Sequence, residues 1–330
     1  KEDKKGQILQ EGINEAGAMS SWIAAGTAYA NHGVNMVPFY IYYSMFGFQR
    51  IGDLAWAAGD LQARGFLIGG TSGRTTLAGE GLQHQDGHSQ VFAQFIPNCV
   101  SYDPTFAYEL AVIIQDGLRR MFQEQENIFY YLTTLNENYH HPAMPEGARE
   151  GILKGMYLFK AGEGDGPRVQ LLGCGAILRE VIVAADLLAQ DFGVVAEIWA
   201  TPGINELARD GNDATRWNLL HPDQSPRLSY VSACLEGHPG PVVAATDYIR
   251  LYAEQLRPFI PRPYLVLGTD GYGRSDTRAQ LRRHFEVNSH YIVLAALKLL
   301  ADEGPVPVTK VLEAIEKYGI DADKPNPLTV

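Results

Sequence analysis

The sequence predicts an α/β protein of two domains, each a mostly parallel sheet flanked by helices. Three observations predict it. Short apolar and aromatic runs alternate with longer amphipathic ones along the whole chain. A length of 330 residues with 46% hydrophobic content suits two cores of ordinary size. A stretch rich in Gly, Pro and charge, KAGEGDGPR at 160–168, separates two such series.

Taken in order, the first helix opens in GINEAGAM (12–19) and runs on through SSWIAAGTAYA, small and apolar except for Glu15. As a bare pattern, Glu15 is either a solvated residue or a carboxylate favoured by the positive end of the helix dipole. NMVPFYIYY (35–43), GFLIGG (65–70), NCVSYD (98–103) and IFYYLTT (128–134) read as strands. Between them FQRIGDLAWAAGDLQARG and PTFAYELAVIIQDGLRRMF place apolar residues three and four apart, as helices do. After the linker, VQLLGCG, GVVAEIWAT, PVVAATD and PYLVLGTDG supply strands and AILREVIVAADLLAQ a helix.

Composition excludes several classes. A net charge of -11 with scattered Lys and Arg does not build a surface that tracks phosphates, so no nucleic-acid partner is expected. Cys99, Cys174 and Cys234 fit no CxxC spacing and leave one over, which suits a reducing compartment and small buried hydrophobes. No run of about 18 apolar residues occurs and no signal peptide is recognisable, so the reading is a soluble, cytoplasmic protein without a membrane partner. The start, KEDKKGQ, lacks an initiator Met and enters a helix directly, which reads as part of a longer protein.

Four stretches bear on chemistry. GCGAIL (173–178) follows a strand and opens a helix, but Leu178 stands where a dinucleotide fingerprint needs its third Gly, so a tight strand-to-helix turn is expected. TSGRTT (71–76) has the small polar residues of a phosphate loop without its GK[ST] ending, and no nucleoside triphosphate site is read there. GLQHQDGHS (81–89) gathers His84, Asp86 and His88 in a loop after a strand, where binding residues concentrate in α/β sheets. Proton transfer or hydrogen bonding to a substrate fits better than a metal, since further ligands at suitable spacing are not evident; a loop held by its own His and Asp hydrogen bonds is the alternative. YYSMFGFQRIGD (42–53) closes a strand with two Tyr and adds Phe46 and Phe48 around Gly47. Such aromatics either pack a core or stack on a flat ring.

With those residues in view, the chain resembles the C-terminal part of the homodimeric bacterial pyruvate dehydrogenase family, the thiamine diphosphate-dependent decarboxylating component of the pyruvate dehydrogenase complex. GINEAGA, IYYSMFGFQRIGDLAWAAGD, GGTSGRTTLAGEGLQHQDGHS, TTLNENYHHPAMPEG and LGTDGYGRSDTRAQLRRHFEV carry the resemblance, in order and across all 330 positions. It implies a transketolase-like fold, with a pyrimidine-binding domain at 1–158, lacking its N-terminal part, and a transketolase-like C-terminal domain at 159–330. It also implies oxidative decarboxylation of pyruvate with reductive acetylation of a lipoyl group on the dihydrolipoyl acetyltransferase component, by a homodimer.

The site residues carry over one at a time. Glu15 stands where a glutamate hydrogen-bonds a ring nitrogen of the cofactor's aminopyrimidine, and its carboxyl group is expected to be shielded from water and able to share a proton there. Phe46 stands where an aromatic packs on that ring. Tyr43 and His84 match residues that reach the substrate side, and Glu80 resembles a nearby active-site acid. Arg50 and Asp53 are read as a structural ion pair at a helix start. The GDG-type motif that holds the diphosphate and magnesium in this family is missing, so those ligands are expected in an N-terminal part. Two other readings stay open: transketolase-type transfer of a two-carbon unit, for which GEGLQHQDGHS lacks the basic residues a sugar phosphate needs, and a fragment serving only dimerisation or assembly.

Overall fold

The computed structural model describes residues 3–78 and 83–330. The chain enters a four-stranded sheet through β1 (Phe39–Tyr43), β2 (Phe66–Gly70), β3 (Cys99–Tyr102) and β4 (Phe129–Thr133), ordered β1-β2-β4-β3. Every neighbouring pair is parallel. All residues of β4 are buried, as expected of a central strand covered by helices on both faces. β1 is an edge strand and alternates: Tyr42 points into a core with Met19, Trp22 and Phe48, while Phe39, Ile41 and Tyr43 are exposed on the other face.

A second sheet holds β5 (Tyr157–Lys160), β6 (Arg168–Gly173), β7 (Val195–Ala200), β8 (Val242–Ala245) and β9 (Tyr264–Leu267), ordered β5-β7-β6-β8-β9. Only β5, paired to β7, runs antiparallel. The two mostly parallel sheets with flanking helices are the expected fold class. The switch between sheets falls between Thr133 and Tyr157, so the boundary expected at residue 158 lies inside β5. The Gly-rich stretch after Lys160 is therefore a turn between β5 and β6 rather than the link between sheets. At GCGAIL the chain makes the expected turn, with β6 ending at Gly173 and a helix beginning at Leu178.

Cys99 and Cys174 are buried and Cys234 is half-buried. No helix among the described residues is long and apolar enough to cross a membrane.

The halves meet along a seam that is apolar and polar in turn. One cluster of buried side chains continues from Phe66 and Tyr102 in the first half to Val169, Leu171 and Leu297 in the second. Phe106 stacks on Phe159, ring centroids 5.5 Å apart. Beside them Asp103 bonds the second half through its backbone, donating to the Pro202 carbonyl at 2.7 Å and accepting from the Gly175 amide at 3.1 Å. Its carboxylate accepts a bond from the Thr133 hydroxyl at 2.6 Å.

Burial pushes the Asp103 carboxyl up to about 7, although Thr133 and Cys174 pull the other way. A carboxyl raised above its unfolded value of about 3.9 contributes stability that is fully present at low pH and is lost as pH rises toward the folded value. Asp103→Asn, which keeps the shape without the ionisation, is expected to unfold at higher denaturant than the native chain at pH 8. The advantage should shrink by about 2 kcal/mol on moving to pH 5.5. Urea titrations at the two pH values check this; an advantage independent of pH would assign Asp103 an ordinary packing role.

Candidate functional site

The site is built at the carboxyl ends of β1 and β2, the edge of a parallel sheet where ligands bind. Tyr43 ends β1 opposite Gly70, the last residue of β2. From Tyr43 the chain makes one tight turn, Ser44–Phe46, into the helix Gly47–Asp60. Gly47 is required there because a Cβ would run into the Tyr42 ring, so the turn closes over Tyr42. His84, further along the chain after β2, lies at the same spot.

His84 lies edge-on to both aromatics: its ring centroid is 5.0 Å from Phe46, with the planes at 70°, and 5.5 Å from Tyr43, at 75°. Tyr43 and Phe46 are themselves 6.2 Å apart. Glu15 comes from the other side, from the first turn of the helix Glu15–Gly26, whose N-terminus is capped by the Asn14 side chain. The expected residues Glu15, Tyr43, Phe46 and His84 thus converge from three separated segments. Tyr40 backs the group, its hydroxyl 3.5 Å from the Glu15 carbonyl. Burial first, then the nearby Glu15 and Glu11, pushes the Tyr40 phenol up to about 12, which leaves it a neutral donor.

Two expectations are corrected. Glu15 is not shielded from water: its side chain keeps 19% exposure and pairs with Arg50 at 2.5 Å. The Ala16–Gly17–Ala18 run offers no bulk to cover it, and the neighbouring surface of Ile13, Ile41 and Tyr43 is itself open. Arg50 accordingly takes Glu15, from another helix, as its partner instead of forming the local pair expected with Asp53.

The Arg50 guanidinium does more than pair. It lies over the Phe46 ring, 4.3 Å from its centroid, while donating to Glu15. A flat, cationic, N–H-bearing group is therefore held between an aromatic face and a carboxylate. The signal for Arg50 was present in the sequence, since Arg50 follows Phe46 by four residues across the start of a helix, a spacing at which side chains meet.

The remaining candidates separate. Asp86 is buried and accepts from the amides of His88 and Ser89, both at 2.9 Å, and from the Ser89 hydroxyl, so it fixes the loop that enters the helix Ser89–Gln94. His88 stands beside the Arg74 guanidinium at 3.3 Å; burial, then Arg74, lowers its affinity for a proton. Both follow the loop-holding alternative. Glu80 lies outside the described residues. Among the described residues no three of His, Cys, Asp and Glu gather as a metal site.

With this geometry established, known proteins can be compared. Residues 1–142 match the family described as the pyruvate dehydrogenase E1 component middle domain, and residues 155–288 the transketolase-like C-terminal domain. The chain is 64% identical over 332 residues to the pyruvate dehydrogenase E1 component of Cupriavidus necator, covering 100% of this chain and 37% of that protein. It is 61% identical to the one from Escherichia coli K12, covering 99% of this chain and again 37% of the relative. The chain thus spans little more than a third of the curated relatives' length. Among solved structures, a transketolase from Leishmania mexicana superposes with a TM-score of 0.64 at 16% identity, over 90% of this chain and 38% of that one. A split-gene transketolase, described as an inactive beta4 tetramer, superposes equally well, with 88% and 83% coverage. These likenesses at low identity establish the fold.

Proposed function

Because the chain matches the pyruvate dehydrogenase E1 middle domain over residues 1–142, the transketolase-like C-terminal domain over 155–288, and pyruvate dehydrogenase E1 components along its whole length, we propose that it forms the pyrimidine-binding and C-terminal part of a cytoplasmic enzyme that oxidatively decarboxylates pyruvate. The acetyl group would pass to a lipoyl domain of the acyltransferase partner, feeding acetyl-CoA synthesis. The observation that carries this reading is the bracket around Arg50. An aromatic face and a carboxylate that hold a guanidinium also fit an aminopyrimidine, another flat group bearing N–H donors. Thiamine diphosphate, when bound, supplies the carbon nucleophile and the electron sink.

The chain's own residues then have distinct tasks. Phe46 holds the pyrimidine plane by stacking, and Glu15 hydrogen-bonds one of its ring nitrogens. Because Arg50 donates to the Glu15 carboxylate, it must withdraw before that carboxylate can bond the pyrimidine nitrogen. We assign His84 and Tyr43, whose rings meet each other and Phe46, to hydrogen-bond the substrate oxygen as charge grows on it. The exposed face formed by Phe39, Ile41 and Tyr43 lies next to this cluster, and we assign it to the contact between two copies of the chain in a homodimer.

Diphosphate and magnesium ligands are assigned to the part of the enzyme that precedes this chain in its relatives. The test is a calorimetric titration of the 330 residues with thiamine diphosphate, with and without magnesium. Weak binding unaffected by the metal is expected. Pyruvate turnover with an artificial electron acceptor should return when the N-terminal part is supplied. Tight, magnesium-dependent binding by the chain alone would place the diphosphate site here. Full binding without turnover in the completed enzyme would favour an assembly role.

A further inference from the structure

Ser72, Arg74, Thr75 and Thr76 of TSGRTT are among the most buried polar residues described. What fills them is the second domain. Asp247, just past the end of β8, is 1% exposed and aims its carboxylate into the turn. One oxygen accepts from the Thr75 amide at 2.9 Å and the Thr75 hydroxyl at 2.7 Å; the other accepts from the Thr76 hydroxyl at 2.8 Å. Gly73, at φ +89°, gives the carboxylate its space, because a Cβ there would run into the same Asp247 oxygen. The Asp247 carbonyl takes the Arg74 amide at 3.2 Å. Arg282 adds a bond to the Thr75 hydroxyl at 3.3 Å.

The far shoulder of the same loop is also gripped by the second domain. Gln85 exchanges two bonds with the backbone of Arg274, at 2.7 and 2.8 Å, and the Ile249 amide reaches the Gly87 carbonyl at 3.0 Å. His84 sits between these two shoulders. The second domain thus clamps the segments on either side of His84, one of the four residues of the cluster.

We propose that Asp247 is a positioning residue for His84: its carboxylate fixes the turn at 73–76 and thereby the height and angle at which the imidazole meets Phe46 and Tyr43. The inference rests on the proposed role of His84 for its effect on turnover, but not for its structural content. A buried carboxylate satisfied by three donors of one turn is costly to replace, and its loss frees all three at once.

The test reads the position of the imidazole directly. His84 lies edge-on to two rings, so its Cε1–H resonance carries a ring-current shift, assignable in histidine-labelled chain by its loss in His84→Gln. Asp247→Ala should move that resonance toward the value of a free histidine, while the His238 resonance stays in place as the sign of an intact second domain. Asp247→Asn keeps an oxygen for Thr75 and should restore most of the shift. Thr76→Val removes one donor and guards against failure of the alanine variant to fold; it should give a smaller displacement of the same sign. In the full-length enzyme, kcat should fall on the order of 10-fold for Asp247→Ala with little change in cofactor affinity, and recover in the asparagine variant. A His84 resonance unmoved in a folded Asp247→Ala chain would overturn the proposal. A displaced resonance with unchanged turnover would leave the positioning in place and overturn the functional role given to His84.

Discussion

Glu15→Gln is expected to leave the fold and the bracket around Arg50 in place, yet slow proton exchange at the thiazolium carbon of thiamine diphosphate by on the order of 10²-fold or more. The amide matches the carboxylate in size and can accept one hydrogen bond from Arg50. It cannot take or give up a proton at the pyrimidine nitrogen. Since Glu15 stands at the chain's surface with part of its side chain in water, the substitution should change thermal stability little. The measurement is deuterium exchange at that carbon, followed by quench and NMR, in the full-length enzyme carrying this chain. An exchange rate equal to that of the native enzyme would remove Glu15 from the chemistry and leave it as the ion-pair partner of Arg50.

His84→Ala should act on a later step. Its ring meets the Phe46 and Tyr43 rings nearly at right angles, and in the proposed arrangement the pyrimidine stacks on Phe46 rather than on His84. Removing it should leave thiamine diphosphate affinity nearly unchanged while kcat for pyruvate falls on the order of 10²-fold, the pattern of an interaction made mainly in the transition state. A structural histidine would instead lower the melting temperature together with every kinetic constant. Calorimetric affinity, steady-state kinetics and a melting curve on the same preparation separate the two. Parallel losses in affinity and turnover would place His84 on the cofactor rather than on the substrate.

Much of the fold was legible because parallel strands covered on both faces must be nearly continuous in apolar residues, and runs such as IFYYLTT and PVVAATD have no other use. β5 was not legible. It is four residues long, lies at an edge and runs against its neighbour, and YLFK carries neither an alternation nor a turn signal long enough to mark it. The candidate residues could be named from the sequence, but their electrostatic setting could not. Nothing in GINEAGAM says that the small residues around Glu15 leave it open, because exposure depends on which surface packs against a helix, and here that surface is incomplete.

Arg50 shows the intermediate case. Its spacing from Phe46 is local and readable, whereas its contact with Glu15 joins positions 35 apart and follows only from the packing of two helices. TSGRTT lies at the far limit. Its small polar residues announce that something with oxygens must fill the turn, but not that the filler is a carboxylate 172 residues away from Thr75.

That separation also orders events in time. While the ribosome is still making the second sheet, Phe106 has no Phe159 to stack on, and Thr75 and Thr76 have no Asp247 to bind. At ordinary rates of elongation the wait is on the order of 10 s, long compared with the folding of a small sheet. The nascent chain in that interval carries a formed first sheet with an unlatched loop and an open apolar flank, the kind of surface that chaperones hold. On the proposed latch, His84 reaches its place only after Asp247 has left the exit tunnel.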